Sequence, residues 1–120
     1  MREYEAAYSS GSIPALSRIL APDVQVRANG QGVTFNRNDA LESYRLQFAD
    51  LRKSFAKWKY TIFSNNLKGV GSKSTVASGS YRLTRFAPDG TASVQEGPIE
   101  LTFSKRNGRA VITVKDEPGR

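Results

Sequence analysis

The 120-residue sequence contains neither cysteine nor histidine. Without cysteine, the chain has no disulfide, no thiolate nucleophile and no thiolate metal site. Without histidine, it lacks the side chain whose ordinary pKa is closest to neutrality, so serine–histidine triads and histidine-ligated zinc are excluded. Any catalysis would have to use carboxylates, tyrosines or lysines with shifted pKa values. We expect no metal site and no cofactor.

Long hydrophobic runs are also absent. No stretch approaches the ~20 apolar residues of a membrane span, and the first residues lack the apolar segment of a signal peptide. The length, with 38% hydrophobic and 24% charged residues, predicts a single domain spanning residues 1–120. We expect either a cytoplasmic protein or a domain from a longer anchored or secreted chain, because thiol-free chains suit both compartments.

The charge is unbalanced, with 18 Lys and Arg against 11 Asp and Glu, a net charge of +7. This excess favours an anionic partner, such as an acidic protein surface or a nucleic acid. Nucleic acid is the weaker of these, because neither a binding motif nor a set of exposed aromatic rings accompanies the charge. The simpler interpretation is solubility, since the basic residues are spread along the chain.

Three segments carry the periodicity of amphipathic helices. Apolar side chains recur at helical spacing in residues 4–8, 13–20 and 41–51. The third segment has the clearest pattern, because its apolar side chains keep to one face over several turns. Asn36 or Asn38 can cap this helix, since an asparagine side-chain oxygen accepts a hydrogen bond from a free backbone N–H at a helix start.

Strand patterns lie between and after these helices. Alternating apolar residues predict a first hairpin that turns at Asn29-Gly30, a pair that tolerates the positive φ of a tight turn. Four more strands are predicted at residues 58–63, 75–86, 99–103 and 111–114. Turn residues separate them, including the Asn- and Gly-rich segment 64–73. This order predicts an α+β fold with helices packed on one face of a curved sheet.

Each predicted strand has an apolar face and a polar face, because successive strand residues point to opposite sides. Ile99 falls on the apolar face and Glu100 on the polar one. A carboxylate buried without a partner costs several kcal/mol, so we expect Glu100 to face water. The polar face is either simply solvated or a partner surface. The candidate partner residues on it are Lys59, Arg82, Thr84, Thr102 and Lys115.

Aromatic side chains are expected to converge between the helices and the sheet. They are Tyr4, Tyr8, Tyr44, Phe48, Trp58, Tyr60 and Tyr81. A concave space lined by rings and a few hydroxyl groups is typical of a pocket for a small apolar ligand. The same rings would equally fill a solid core, with their hydroxyl groups at its rim. If a pocket is present, we expect it near Tyr4 and Trp58.

The order of these segments resembles that of the nuclear-transport-factor-2-like (NTF2-like) superfamily, which includes ketosteroid isomerases and the SnoaL-like group. Its opening helices and first strand are similar to YEAAYSSGSIPALSRILAPDVQVRANG, and its third helix to NRNDALESYRLQF. Its closing strands are similar to SGSYRLTRF, DGT and GPIELTFSKRNGRAVITV. The resemblance covers nearly the whole chain. It implies a cone-shaped, curved antiparallel sheet with three helices on its concave face, often with a pocket and often dimeric.

The resemblance also implies where a catalytic site would lie. Ketosteroid isomerases of this kind use an aspartate base, with a tyrosine and a protonated aspartic acid as hydrogen-bond donors. The tyrosine matches Tyr4, but the base falls on Ala28, which carries no ionisable group. The second donor falls on Ile99, because the strand face that should carry the acid is apolar here. Two of the three positions are replaced, so isomerase chemistry is not expected.

We therefore predict a non-catalytic NTF2-like (SnoaL-like) domain that binds a small hydrophobic ligand or takes part in protein assembly. The expected partners are a second copy of the chain bound through the polar sheet face, a small hydrophobic molecule, or an acidic protein. The alternative is an isomerase, dehydratase or hydrolase acting on a small hydrophobic substrate in the cone. Such an enzyme would need a buried acid that the sequence does not identify.

Overall fold

The computed structural model describes residues 2–28, 31–34, 36–70 and 73–117. These residues form three helices and six strands, so the predicted α+β class is confirmed. The elements are α1 (Arg2–Ser10), α2 (Ile13–Ile19), β1 (Leu20–Ala28), β2 (Gln31–Thr34), α3 (Arg37–Ser54), β3 (Lys57–Val70), β4 (Ser74–Phe86), β5 (Ala92–Arg106) and β6 (Arg109–Glu117). The predicted turn at Asn29-Gly30 lies outside the described residues.

The strands form one curved, unclosed sheet in the order β2-β1-β6-β5-β4-β3. Strands β3 to β6 follow one another as antiparallel neighbours, as the turn residues predicted. The prediction of a wholly antiparallel sheet is wrong at one pair, since β1 and β6 are parallel. The last strand, β6, lies between β1 and β5 and runs in the same direction as β1.

Helices α2 and α3 begin at side-chain caps. Ser12 Oγ accepts a hydrogen bond from the Ala15 N–H (3.2 Å) at the start of α2. Asn36 Oδ1 accepts one from the Asp39 N–H (2.8 Å) at the start of α3, so Asn36 is the cap and Asn38 lies within the first turn. In the described part of the chain, no helix combines the length and apolarity that a membrane crossing requires.

Two predicted boundaries are wrong because strand pairing extends further than local turn residues indicate. The segment 64–70 continues β3 instead of turning, since it pairs with residues 74–79 of β4. Strand β5 begins at Ala92 rather than at Ile99, because its pairing with β4 includes Pro98. In both places the partner strand satisfies the backbone hydrogen bonds of residues that are common in turns.

Strands β3 and β4 approach each other closely at Gly79. A Cβ atom there would lie 2.8 Å from Ser64 Cα and 2.9 Å from the Phe63 carbonyl carbon, and closer still to the Phe63 oxygen. Real Cβ atoms essentially never come within 3.0 Å of such atoms. The close approach coincides with a register shift of β3 between Ser64 and Asn66. Only glycine fits this position without moving a strand.

Strand β6 contains a β-bulge that changes which side chains face the helices. Thr102 pairs with Val114 and Phe103 with Ile112, so Thr113 is an extra residue on the β6 side. A bulge reverses the alternation of faces for the residues beyond it. Lys115 consequently pairs with the buried Leu101 and points to the inner, helix-facing side of the sheet.

Strand β3 is one edge of the sheet, and α1 covers part of that edge. The Glu5 carboxylate accepts a hydrogen bond from the Ile62 N–H (3.0 Å). Ser9 Oγ accepts one from the Tyr60 N–H (2.9 Å) and donates one to the Tyr60 carbonyl (3.3 Å). The Trp58 indole N–H donates to the Tyr8 carbonyl (2.7 Å). The helix thus satisfies edge groups that would otherwise face solvent.

Candidate functional site

An open cavity of about 500 Å³, here called the cone cavity, lies between α3 and the inner face of the sheet. Its lining combines apolar and polar side chains. The apolar and aromatic lining residues are Tyr8, Val26, Leu51, Phe55, Tyr60, Tyr81 and Leu83. The polar lining residues are Arg27, Ser43, Gln47, Asp50, Ser54, Arg85, Gln95 and Lys115.

The predicted aromatic cluster is divided between the cavity wall and the core. Tyr8, Tyr60 and Tyr81 line the cavity, and the rings of Tyr60 and Tyr81 are stacked with centroids 5.5 Å apart. The other members, Tyr4, Tyr44, Phe48 and Trp58, are outside the lining. The cavity therefore lies against the Tyr60–Tyr81 stack, and Tyr4 and Trp58, beside which we expected a pocket, are not among its lining residues.

Tyr4 and Trp58 are held elsewhere by packing. Tyr4 is completely buried, and its hydroxyl group hydrogen-bonds that of Tyr44 (2.8 Å). Burial, together with the neighbouring hydroxyl of Tyr44, raises the pKa of Tyr4 well above the ordinary tyrosine value. Trp58 stacks on Phe48 (centroids 6.0 Å apart), with the Arg52 guanidinium over its ring. Tyr4 is thus a neutral core residue.

Three side-chain hydrogen bonds orient polar groups of the cavity wall. The Tyr8 hydroxyl donates to Gln47 Oε1 (2.9 Å). The Gln47 amide in turn donates to Ser43 Oγ (3.4 Å). On the sheet side, Gln95 Nε2 donates to the Tyr81 hydroxyl (3.0 Å). The wall therefore presents oriented polar groups beside aromatic rings, which is the composition of a specific small-molecule site.

The structure corrects the predicted place of Lys115. It was assigned to the outer polar face by counting along β6, but the bulge at Thr113 turns it inward. Lys115 is only 6% exposed, lines the cavity, and has its Nζ 5.9 Å from the centre of the Tyr44 ring. That distance is within the range of a cation–π contact. A predicted partner-surface residue is therefore part of the cavity wall.

Arg85 is a second cation of the cavity wall, and the sequence analysis missed it. Its guanidinium carbon lies 5.4 Å from the centre of the Phe55 ring. Its Nε atom is buried and, among the described residues, has no hydrogen-bond partner. Strand alternation could have found it, because Arg85 follows Tyr81 and Leu83 at two-residue spacing on the same face.

Three acidic residues lie near the cavity or on the sheet, and none of them is on the inner face of the sheet. Asp50 is in the lining but is exposed on α3. Glu100 is on the outer face as predicted, where Ser78 Oγ donates to its carboxylate (3.3 Å). Asp116 is opposite Glu100 on β6. Within the described segments, no group of three acidic side chains is placed to hold a metal ion.

The other four predicted partner-surface residues, Lys59, Arg82, Thr84 and Thr102, lie on the outer face. Lys59 is opposite Thr84, and Arg82 contacts Glu96 (3.4 Å). Two large apolar side chains are exposed on the same face, Phe63 at 47% and Val94 at 53%. The outer face is therefore mixed in charge and partly apolar.

No family model matches the sequence, and no curated protein is similar to it. Solved structures do match over nearly the whole chain. An NTF2-like protein of unknown function from Shewanella oneidensis has a TM-score of 0.75 and 20% identity, with 98% of this chain and 92% of that one covered. The protein Aln2 from a Streptomyces species has a TM-score of 0.85 and 9% identity, with 98% and 82% covered.

A candidate dehydratase of the NTF2-like family from Streptomyces avermitilis has a TM-score of 0.79 and 14% identity, with 99% of this chain and 90% of that one covered. At such identities the similarity shows the fold alone. The chain therefore has the NTF2-like fold that its order of segments predicted.

Proposed function

We propose that this protein binds a small molecule with an apolar body in the cone cavity and does so without a catalytic step. The observation that carries the proposal is the cavity itself, about 500 Å³ in volume and lined by the stacked rings of Tyr60 and Tyr81. Natural small-molecule pockets have volumes of roughly 300–1,000 Å³ and the same mixture of rings with a few polar groups.

The alternative is an enzyme, and one protein of similar fold is a candidate dehydratase. Chemistry in the cavity would need a proton acceptor next to the bound molecule. The carboxylate in the lining is that of Asp50, which is exposed on α3. Tyr4, which matches the donor tyrosine of ketosteroid isomerases, is neutral and lies in the core, outside the lining. These positions favour binding over catalysis.

A neutral bicyclic probe, naphthalene-2-carboxamide, tests this proposal by isothermal titration calorimetry. We expect saturable binding at one site per chain. Leu83→Trp should weaken it strongly, because Leu83 is buried in the wall and a larger side chain there projects into the cavity between Tyr81 and Arg85. Leu46→Trp is the matched control, since Leu46 is 61% exposed on α3 and outside the lining. Equal binding to both variants would contradict the proposal.

We also propose that the outer sheet face joins two copies of the chain. Phe63 and Val94 supply exposed apolar area. Arg82 and Glu96 supply both signs of charge, and a surface with both signs suits a second identical copy better than an acidic partner. In sedimentation velocity, Val94→Lys should shift a dimer to the monomer. Leu67→Lys, exposed at the far end of β3, should leave it unchanged. A monomeric wild-type protein would reject this second proposal.

A further inference from the structure

We infer that the ligand of the cone cavity is a carboxylate, with its apolar body against Tyr60 and Tyr81 and its negative group held by Arg85. This inference rests on the proposed binding function and names the chemistry that the site selects. It is carried by the charge of the wall, by a buried guanidinium N–H, and by the order of side chains along β4.

The wall of the cavity has an excess of positive charge. Arg27, Arg85 and Lys115 are cationic, and Asp50 is the acidic residue of the lining, which leaves a formal charge of +2 from three positive and one negative side chain. Asp50 is exposed and therefore well screened by water. Lys115 is buried, so its charge acts on the cavity through a medium of lower dielectric constant.

Arg85 is the group best placed to bind the anion directly. Its Nε–H is buried without an acceptor among the described residues, and a buried donor left unbonded costs free energy. A ligand carboxylate would supply the missing acceptor. The guanidinium fork also matches the two oxygens of a carboxylate, which a lysine ammonium does not. Phe55 packs against the same guanidinium and limits its orientations.

The order of side chains on β4 sets the shape of the ligand. Tyr81, Leu83 and Arg85 follow one another on the inner face, and Tyr60 of β3 is opposite Leu83. Alternate strand residues are about 7 Å apart, so the backbone of this row extends about 13 Å from Tyr81 to Arg85. A bicyclic or short-chain acid lying along the row would place its apolar part on the rings and its carboxylate at Arg85.

Lys115 acts at the other end of the cavity. It contacts Tyr44, whereas Arg85 contacts Phe55, and these two rings are eleven positions apart in the sequence along and just beyond α3. At 1.5 Å per residue, the backbone positions of Tyr44 and Phe55 are about 16 Å apart along the helix. A small acid bound at Arg85 would therefore be attracted to Lys115 by long-range electrostatics and not by direct contact. We assign Lys115 a secondary, long-range contribution to binding.

The test compares 2-naphthoate with its neutral isostere naphthalene-2-carboxamide, using calorimetry on the wild-type protein and four variants. We expect naphthoate to bind wild type more tightly than the amide. Arg85→Met should weaken naphthoate about 10- to 100-fold, the range for a charged hydrogen bond, with little effect on the amide. Arg85→Lys should recover part of the loss. Lys115→Met should weaken naphthoate about two- to fourfold.

Arg18→Met is the control for net charge, because Arg18 is exposed on α2 and outside the cone cavity. It should leave both affinities unchanged. Equal binding of naphthoate and amide to wild type, or equal loss of both in Arg85→Met with an unchanged circular dichroism spectrum, would overturn the inference but leave the proposed function intact. Failure of both compounds to bind wild type would overturn the proposed function and the inference with it.

Discussion

Replacing Gly79 by alanine tests the close approach of β3 and β4. The added methyl group would lie 2.8–2.9 Å from backbone atoms of Phe63 and Ser64, where ordinary contacts are 3.4–4 Å. Because these neighbours are backbone atoms in a paired strand, they cannot rotate away. One strand must move by more than half an ångström, which weakens the local hydrogen bonds. Overpacking costs about 1–3 kcal/mol and a weakened hydrogen bond about 1 kcal/mol more, so we expect a loss of about 2–4 kcal/mol.

Urea unfolding followed by circular dichroism measures this loss. With a slope of about 2 kcal/mol per molar urea, the midpoint should fall by about 1–2 M. Gly69→Ala is the matched control on β3, because an added Cβ there meets no atom within 4 Å. It should change the free energy of unfolding by less than about 0.5 kcal/mol. The packing argument is refuted if both variants unfold at the wild-type midpoint.

Three further predictions concern caps and the buried tyrosine pair. Asn36→Ala should lower the free energy of unfolding by about 1 kcal/mol, because it removes the cap of α3, whereas Asn38→Ala should have almost no effect. Tyr4→Phe should lower it by about 1 kcal/mol in urea unfolding, because the hydrogen bond to Tyr44 is lost. The raised pKa of Tyr4 means that unfolded chains ionise first, so its contribution is complete below about pH 10 and is lost as the pH rises further. Unfolding midpoints measured across that range should fall more steeply for wild type than for Tyr4→Phe, and parallel curves would contradict the assignment.

Strand alternation predicted the faces of β3 to β5 because pairing there leaves the pattern intact over the core. Glu100 illustrates this, since its outward position follows from simple counting. The same counting failed in β6. The extra residue at Thr113 has no distinctive sequence, since threonine is common in regular strands. The inward position of Lys115 therefore depends on how β5 and β6 pair, and this pairing cannot be predicted from a single sequence.

The cavity was harder to predict than the fold. Composition identifies aromatic residues but not which of them fill the core, because that depends on how closely α3 approaches the sheet. Tyr4 and Tyr60 have the same side chain and both are buried, yet only Tyr60 is part of the cavity wall. Strand alternation from Leu83 places Arg85 on the inner face of the sheet. The sequence alone does not show that a cavity lies beside its guanidinium group.

Because α1 occupies the unpaired edge of β3, it also affects whether neighbouring molecules can add a strand to the sheet at high protein concentration. Glu5 and Ser9 occupy the backbone positions that an incoming strand from a neighbouring molecule would need. Removing the helix would leave Tyr60 and Ile62 as a template for strand addition, the first step towards fibrous aggregates. A short amphipathic segment at the start of the domain thus blocks strand addition at this edge of the sheet.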